Sequence, residues 1–273
     1  MFLKRTITKN VNIMQLFKPK YACIHALTRK YYRTEQSSPE YSTINESEVS
    51  KFSQIANEWW SPNGPVKLLH TMNPLRISYI REQLKNKKIG DEALVRLGGS
   101  VIGVDASDEN IKIAKLHAKK DPILHGNLEY QCITAEKLLK QGETFDVVCA
   151  MEIIEHVNNP VEFLKACAGL VKPGGGYLFL STISRTPLSY ILTILLAENT
   201  FKIVPQGTHD FQKYLRPDEL QKIIENIKND DKWGKVIDIT GIGLNPITSK
   251  WCKLPDWIPG KFDVNYFLTA QRI

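Results

Sequence analysis

Two apolar periods alternate along this chain, and their order predicts an open α/β sheet. Glu46–Trp60 repeats apolar residues at helical spacing (Val49, Phe52, Ile55, Ala56, Trp59), and Met72–Leu84 does so again (Leu75, Ile77, Ile80, Leu84). From residue 100 onward, strand and helix patterns take turns. Strand Ser100–Asp105 leads into helix Asp108–Lys119, where Ile111, Ala114, Leu116 and Ala118 form a stripe predicted to be buried. Strand Leu128–Ile133 precedes a short helix at Glu136–Lys140, and strand Phe145–Met151 precedes helix Pro160–Val171, with proline at a tolerated first-turn position. Lys172-Pro173-Gly174-Gly175-Gly176 makes a turn into strand Tyr177–Ser181. After helix Pro217–Asn226, the stretches Lys235–Ile239 and Val264–Ala270 are predicted to pair antiparallel at an edge. Strands separated by helices imply right-handed crossovers, so the expectation is a doubly wound, mostly parallel sheet with an antiparallel terminal hairpin.

The pattern breaks between Leu84 and Ser100. An acid ending a strand, as Asp105 does, commonly grips ribose hydroxyls in nucleotide- and adenosine-binding sheets, with a glycine-rich strand-to-helix turn about 20 residues upstream. Here Lys85–Leu97 offers one isolated glycine, Gly90, and no apolar strand.

At 273 residues with 42% apolar side chains, the chain can bury one sizeable core. Its net charge of +7 is concentrated at one end. Residues 1–34 hold eight Lys and Arg and no acid, which leaves 28 basic against 29 acidic side chains in the remainder. That balance excludes a basic nucleic-acid face on the domain. A basic, acid-free terminus with interspersed Leu, Phe, Ile and Tyr reads as a mitochondrial transit peptide cleaved near Arg29–Thr34. Residues 35–44 then form a linker and 45–273 the domain. Five cysteines show neither metal spacing nor a paired framework, and Cys132 and Cys149 read as small buried hydrophobes.

Candidate chemistry gathers at strand ends. Asp105 could accept two hydrogen bonds from vicinal ribose hydroxyls, or cap the following helix, a role open to Ser107 and Asp108 as well. Met151-Glu152-Ile153-Ile154-Glu155-His156 follows the most apolar strand. If it turns helical, Glu152, Glu155 and His156 fall on one face and could hold a hard cation. The same residues read equally well as an acid pair favoured at a helix N-terminus, with a catalytic or structural histidine beside it. His209, in the loop Gly207-Thr208-His209-Asp210, is more often a satisfied loop residue than a ligand. Leu188–Ala197 is too short to span a bilayer and by itself reads as a core helix.

Taken together, the segments resemble the ubiquinone-biosynthesis O-methyltransferase family. They include Asn57-Glu58-Trp59-Trp60, Asn73-Pro74-Leu75-Arg76, Gly103-Val104-Asp105-Ala106-Ser107, Met151 through Val157, and Leu170-Val171-Lys172-Pro173-Gly174-Gly175. Gly207-Thr208-His209-Asp210, Thr240-Gly241, Asn245-Pro246-Ile247-Thr248 and Asp263-Val264-Asn265-Tyr266 complete the series. The resemblance implies a Rossmann-like class I S-adenosylmethionine-dependent methyltransferase. It implies Arg76, Asp105 and Met151 as cofactor contacts, Glu152, Glu155 and His156 as magnesium ligands, and His156 as an alternative general base. The implied reaction methylates a catechol hydroxyl of polyprenyl-dihydroxybenzoate, and of demethylubiquinol, peripherally on the matrix side of the mitochondrial inner membrane, in a complex with other ubiquinone-biosynthesis proteins. It also turns Leu188–Ala197 into an interfacial helix.

The family carries a strand and glycine-rich loop where this chain has only Ile89–Glu92, so the central first strand is expected to be truncated. Roughly a dozen residues are missing, a strand end plus its loop. The loss is expected to expose two strand edges. The alternative function is a non-catalytic subunit that binds the prenylated quinone precursor or scaffolds the complex.

Overall fold

In a computed structural model, residues 20–24, 43–61, 63–84, 100–124, 127–200, 204–227, 233–245 and 248–273 are described. Among these residues eight strands form one sheet: β1 (Lys20–Ile24), β2 (Ser100–Asp105), β3 (Leu128–Cys132), β4 (Val147–Met151), β5 (Tyr177–Ile183), β6 (Gly234–Asn245), β7 (Lys250–Lys253) and β8 (Asn265–Arg272). Their order is β3-β2-β1-β4-β5-β8-β6-β7. The first five run parallel, and β8, β6 and β7 add antiparallel pairs. The expected antiparallel pairing of the last stretches is present between β6 and β8. The expectation that it lies at the edge is corrected, since β7 takes the edge and β8 sits inside against β5.

The expected gap is also corrected. Lys20–Ile24 lies between β2 and β4, pairing with Ser100–Val104 on one side and with Val147–Cys149 on the other. Unpaired inner edges of β2 and β4 would each present a row of backbone donors and acceptors, and one five-residue segment satisfies both. This strand comes from the stretch assigned by sequence to the targeting peptide. A domain starting at residue 45 would not contain it. The region Lys85–Leu97, where the glycine-rich loop is missing, lies outside the described residues, as does the predicted linker apart from Thr43 and Ile44.

The helices are α1 (Glu46–Gln54), α2 (Lys67–Leu84), α3 (Asp108–Ala118), α4 (Ala135–Lys140), α5 (Pro160–Leu170), α6 (Pro187–Ser189) and α7 (Pro217–Glu225). Local chemistry fixes their starts. Asn45, Ser107, Thr134 and Asn159 accept the backbone N–H of Ser47, Asn110, Lys137 and Glu162 at the starts of α1, α3, α4 and α5. Two apolar layers cover the sheet. On one face Phe163, Leu164, Cys167, Leu220 and Trp233 pack together, the Trp233 indole donating to the Ala168 carbonyl at 2.8 Å. On the other, Met72, Tyr79 and Leu84 of α2 pack on Phe179 and Phe267. All seven positions of β5 are buried, as a strand covered on both faces requires.

Two burial expectations fail for local reasons. Leu116 is 55% exposed, because α3 turns only Ile111 fully into the core. Cys132, the last residue of β3 on the sheet's parallel edge, is exposed, whereas Cys149 in the middle of β4 is buried.

α6 runs into a π-helical segment, Tyr190–Thr200. The core-helix reading of Leu188–Ala197 is corrected. Leu188, Ile191, Leu192 and Leu195 are between 39% and 45% exposed. No helix among the described residues is long and apolar enough to cross a membrane.

Candidate functional site

The C-terminal ends of β2 and β4 open into a cavity of about 850 Å³, bordered by α1, α2 and the π-helical segment. Asp105 closes β2 and is buried. One carboxylate oxygen accepts the Ser107 N–H at 2.7 Å and the other the Asn110 amide at 3.2 Å. The helix cap itself is Ser107, so Asp105 is held by the turn rather than capping it. Each carboxylate oxygen can accept more than one hydrogen bond, and the group borders the cavity. It therefore fits the ribose-gripping role.

Met151 ends β4 at the same cavity, and Arg76 reaches it from α2. The Arg76 guanidinium donates to Asn73 at 3.1 Å and approaches Glu152 at 3.9 Å.

The helical-face reading of Glu152, Glu155 and His156 is corrected. Glu152 has left-handed backbone (φ 56°), and only Ile154–His156 forms a turn, of 3₁₀ type. Such a φ is uncommon outside glycine and costs energy. Here the Glu152 N–H is held by the Ser181 carbonyl at 2.9 Å and the Ser181 hydroxyl at 3.0 Å.

The three side chains then diverge in their partners. Glu155 is buried and accepts from the Thr182 hydroxyl at 2.9 Å. Its carboxyl is pushed up to about 7, first by burial and then by the neighbouring Glu152 carboxylate. Glu152 Oε1 is buried with no hydrogen-bond partner among the described residues. His156 turns Nδ1 onto Glu48 Oε2 at 2.9 Å and packs edge-on against Phe52.

An orphaned carboxylate oxygen beside a second, electrostatically crowded carboxyl fits a hard cation in donor chemistry. The geometry fits less well, because no three His, Cys, Asp or Glu among the described residues converge on a metal position. Glu152 and Glu155 suit a cation, and His156, with Nδ1 turned to Glu48, keeps Nε2 for a ligand or a base role.

Sequence reasoning missed Glu48, Lys51 and Glu198. Glu48 is buried on α1 and contacts both His156 and Lys51. Burial alone would raise its carboxyl, but hydrogen bonds and charge from His156 and Lys51 bring it down to about 2. Lys51 also donates to the Gly207 carbonyl at 2.8 Å. Glu198 is buried and holds His209, Nδ1 to Oε1 at 2.6 Å. His209 thus faces the cavity as a held group. Glu198 directly follows the apolar run that ends at Ala197, and no local period marks it or Glu48 as the partner of an imidazole.

Residues 89–179 match a family model described as a methyltransferase domain. The chain is 39% identical over 279 residues to the mitochondrial ubiquinone biosynthesis O-methyltransferase of Arabidopsis thaliana, covering 94% of this chain and 83% of the relative. It is 38% identical to the ubiquinone biosynthesis O-methyltransferase of Mesorhizobium japonicum, covering 86% of this chain and 98% of the relative. Among solved structures, magnesium protoporphyrin IX methyltransferase from Synechocystis superposes with a TM-score of 0.55 at 14% identity, covering 83% of this chain and 96% of that one. A plantazolicin methyltransferase gives 0.52 at 13% identity, covering 83% and 92%. At such identity these two structures speak for the Rossmann-like methyltransferase fold alone.

Proposed function

Because the chain belongs to the ubiquinone biosynthesis O-methyltransferase family, and is therefore an S-adenosylmethionine-dependent O-methyltransferase, we propose that its acceptor is the catechol of a polyprenylated dihydroxybenzoate and that His156 is the general base. One observation carries this reading: the Glu48–His156 pair and Asp105 border the same cavity.

A catechol hydroxyl is a weak nucleophile at neutral pH, since its first pKa lies near that of tyrosine, about 10. Bound S-adenosylmethionine supplies an electrophilic methyl on a sulfonium sulfur. The protein must place the hydroxyl and take its proton as oxygen–methyl bonding proceeds. Glu48 accepts from Nδ1–H, which fixes the tautomer and leaves the Nε2 lone pair for that proton. The same carboxylate then faces the imidazolium that forms. Arg76 and Met151 border the cofactor side of the cavity, and Asp105 would hold the ribose. A magnesium ion held by Glu152 and Glu155 would supply Lewis-acid polarisation and a template for the acceptor's oxygens.

A polyprenyl tail keeps the acceptor in a bilayer. Leu192 borders the cavity and is 39% exposed, and Ile191 and Leu195 are exposed on the same segment. We place this face on the matrix side of the mitochondrial inner membrane, where it lets the ring enter while the tail stays in lipid. The location rests on the acid-free basic terminus and on the mitochondrial plant relative.

The test is methyl transfer from labelled S-adenosylmethionine to a short-chain prenyl dihydroxybenzoate, with wild type and His156→Ala compared. Product from wild type and none above background from the variant is expected; equal rates would overturn the assignment. Liposome flotation tests the membrane face: binding unchanged by Leu192→Asp plus Leu195→Asp would remove it.

A further inference from the structure

A second carboxylate–imidazole pair meets the cavity through its histidine, and the mechanism above does not use it. Glu198 sits near the end of the π-helical segment and is buried there, directly after the apolar run that ends at Ala197. Its Oε2 accepts the Gly207 N–H at 2.7 Å, and its Oε1 accepts the His209 N–H at 2.8 Å and contacts His209 Nδ1 at 2.6 Å. Gly207 has φ 76°, left-handed backbone that glycine adopts without strain and that lets the loop fold back over the carboxylate. With an ionised carboxylate as partner, Nδ1 carries the proton and Nε2 presents a lone pair. That nitrogen has no hydrogen-bond partner among the described residues, and His209 borders the cavity.

The two pairs belong to one network. His156 Nδ1 meets Glu48, Glu48 accepts from Lys51 at 2.9 Å, and Lys51 donates to the Gly207 carbonyl at 2.8 Å. Gly207 then donates to Glu198, which holds His209. The Ile154–His156 and Phe211–Lys213 turns also pack against each other. The result is two imidazoles of matching tautomer, fixed on one cavity by a shared lysine.

Resting on the reading of a catechol acceptor, we infer that His209 is a specificity-determining residue whose Nε2 accepts a hydrogen bond from the ring hydroxyl adjacent to the one methylated. A catechol offers two neighbouring hydroxyls, and the site offers two imidazole acceptors on one cavity. His156 takes the proton of the reacting oxygen, while His209 holds the other oxygen in its hydroxyl form and so decides which of the two reaches the methyl. A monophenol would satisfy only His156.

The experiment measures binding of 3,4-dihydroxybenzoate and 4-hydroxybenzoate esters to the full chain by quenching of tryptophan fluorescence, which needs no turnover. Wild type is expected to prefer the catechol about fivefold, the size of one net hydrogen bond, and His209→Ala to bind both equally. His209→Ala disturbs the partner of a buried carboxylate, so the isosteric Glu198→Gln is measured beside it, with a thermal melt of each. Glu198→Gln is expected to lower the preference as well, by freeing the imidazole to change tautomer. Where turnover is measured, both variants should yield mixed methylation regiochemistry. An unchanged catechol preference in both variants, or an equal loss of affinity for both phenols, overturns the role of His209. Equal methyl transfer by wild type and His156→Ala, with the binding preference intact, would count against the reading of His156 and leave that of His209 standing.

Discussion

Cys23 stands in register with Cys149 on one side and with Gly103 on the other, so a residue from the basic N-terminal stretch occupies the centre of the sheet. Every strand beyond β1 on one flank communicates with the other flank through Lys20–Ile24. A chain lacking residues 1–34 would leave β2 and β4 with facing unpaired edges. Whole-domain stability is on the order of 5–15 kcal/mol, and loss of a central strand should remove most of it. Removal of residues 1–19 should preserve a cooperative melt, and removal of 1–34 should abolish it or give aggregation, as read by circular dichroism and light scattering. By the same reasoning, protein recovered from mitochondria should begin before Lys20 when its N-terminus is determined by mass spectrometry. Equal melting of both truncations would show that β1 contributes little.

The alternation from Ser100 to Tyr177 was legible because each buried strand and amphipathic helix there carries its own period, and the structure reproduces those elements in order. β1 was not legible. Lys-Tyr-Ala-Cys-Ile is too short and too far from its partners to betray pairing that depends on an empty slot elsewhere. Asp105, Met151, Glu152, Glu155 and His156 could be found because strand ends announce themselves in sequence. Glu48 and Glu198 could not, since a carboxylate that orients an imidazole 11 or 108 positions away leaves no local period. The helical-face reading of Glu152 failed for a related reason. Two hydrogen bonds from Glu152 to Ser181, on a neighbouring strand, overrode the local preference for a right-handed turn.

The Glu48–His156 contact sets a graded expectation for mutants. His156→Ala removes the base and should lower the rate on the order of 10²–10⁴-fold. Glu48→Gln keeps the volume but lets the imidazole change tautomer, so its loss should be smaller and should fall on kcat rather than on acceptor affinity. Initial rates over a range of acceptor concentrations separate the two. A Glu48→Gln enzyme with wild-type kcat would show that His156 needs no carboxylate behind it.

Asp105 is tested by Asp105→Asn, which keeps a hydrogen-bonding side chain of nearly the same shape at the turn into α3. A charged acceptor contributes roughly 1.5–3 kcal/mol to such contacts. The variant should therefore bind S-adenosylmethionine about 10- to 100-fold more weakly by calorimetry, with little change in melting temperature. Unchanged affinity would assign the carboxylate to holding the turn with Ser107 and Asn110 rather than the cofactor.

Glu155 makes a pH-dependent prediction whose sign follows from its surroundings. Burial first and the Glu152 carboxylate second raise its carboxyl from an ordinary 4.5 to about 7 in the folded state. The folded protein thus holds this proton more tightly than the unfolded chain does. The stabilising contribution is fully present below pH 4.5 and is lost as pH rises through about 7, where a charged carboxylate must sit beside another in a buried site. In chelator-treated buffer, Glu155→Gln should therefore melt several degrees above wild type at pH 8 and level with it near pH 4.5. A cation shared by Glu152 and Glu155 relieves the same repulsion, so added magnesium should raise the wild-type melting temperature at pH 8 and leave that of Glu155→Gln unmoved. A magnesium response of equal size in both proteins would place the cation elsewhere. A wild type that melts no lower at pH 8 than Glu155→Gln would show that the two carboxylates are not crowded.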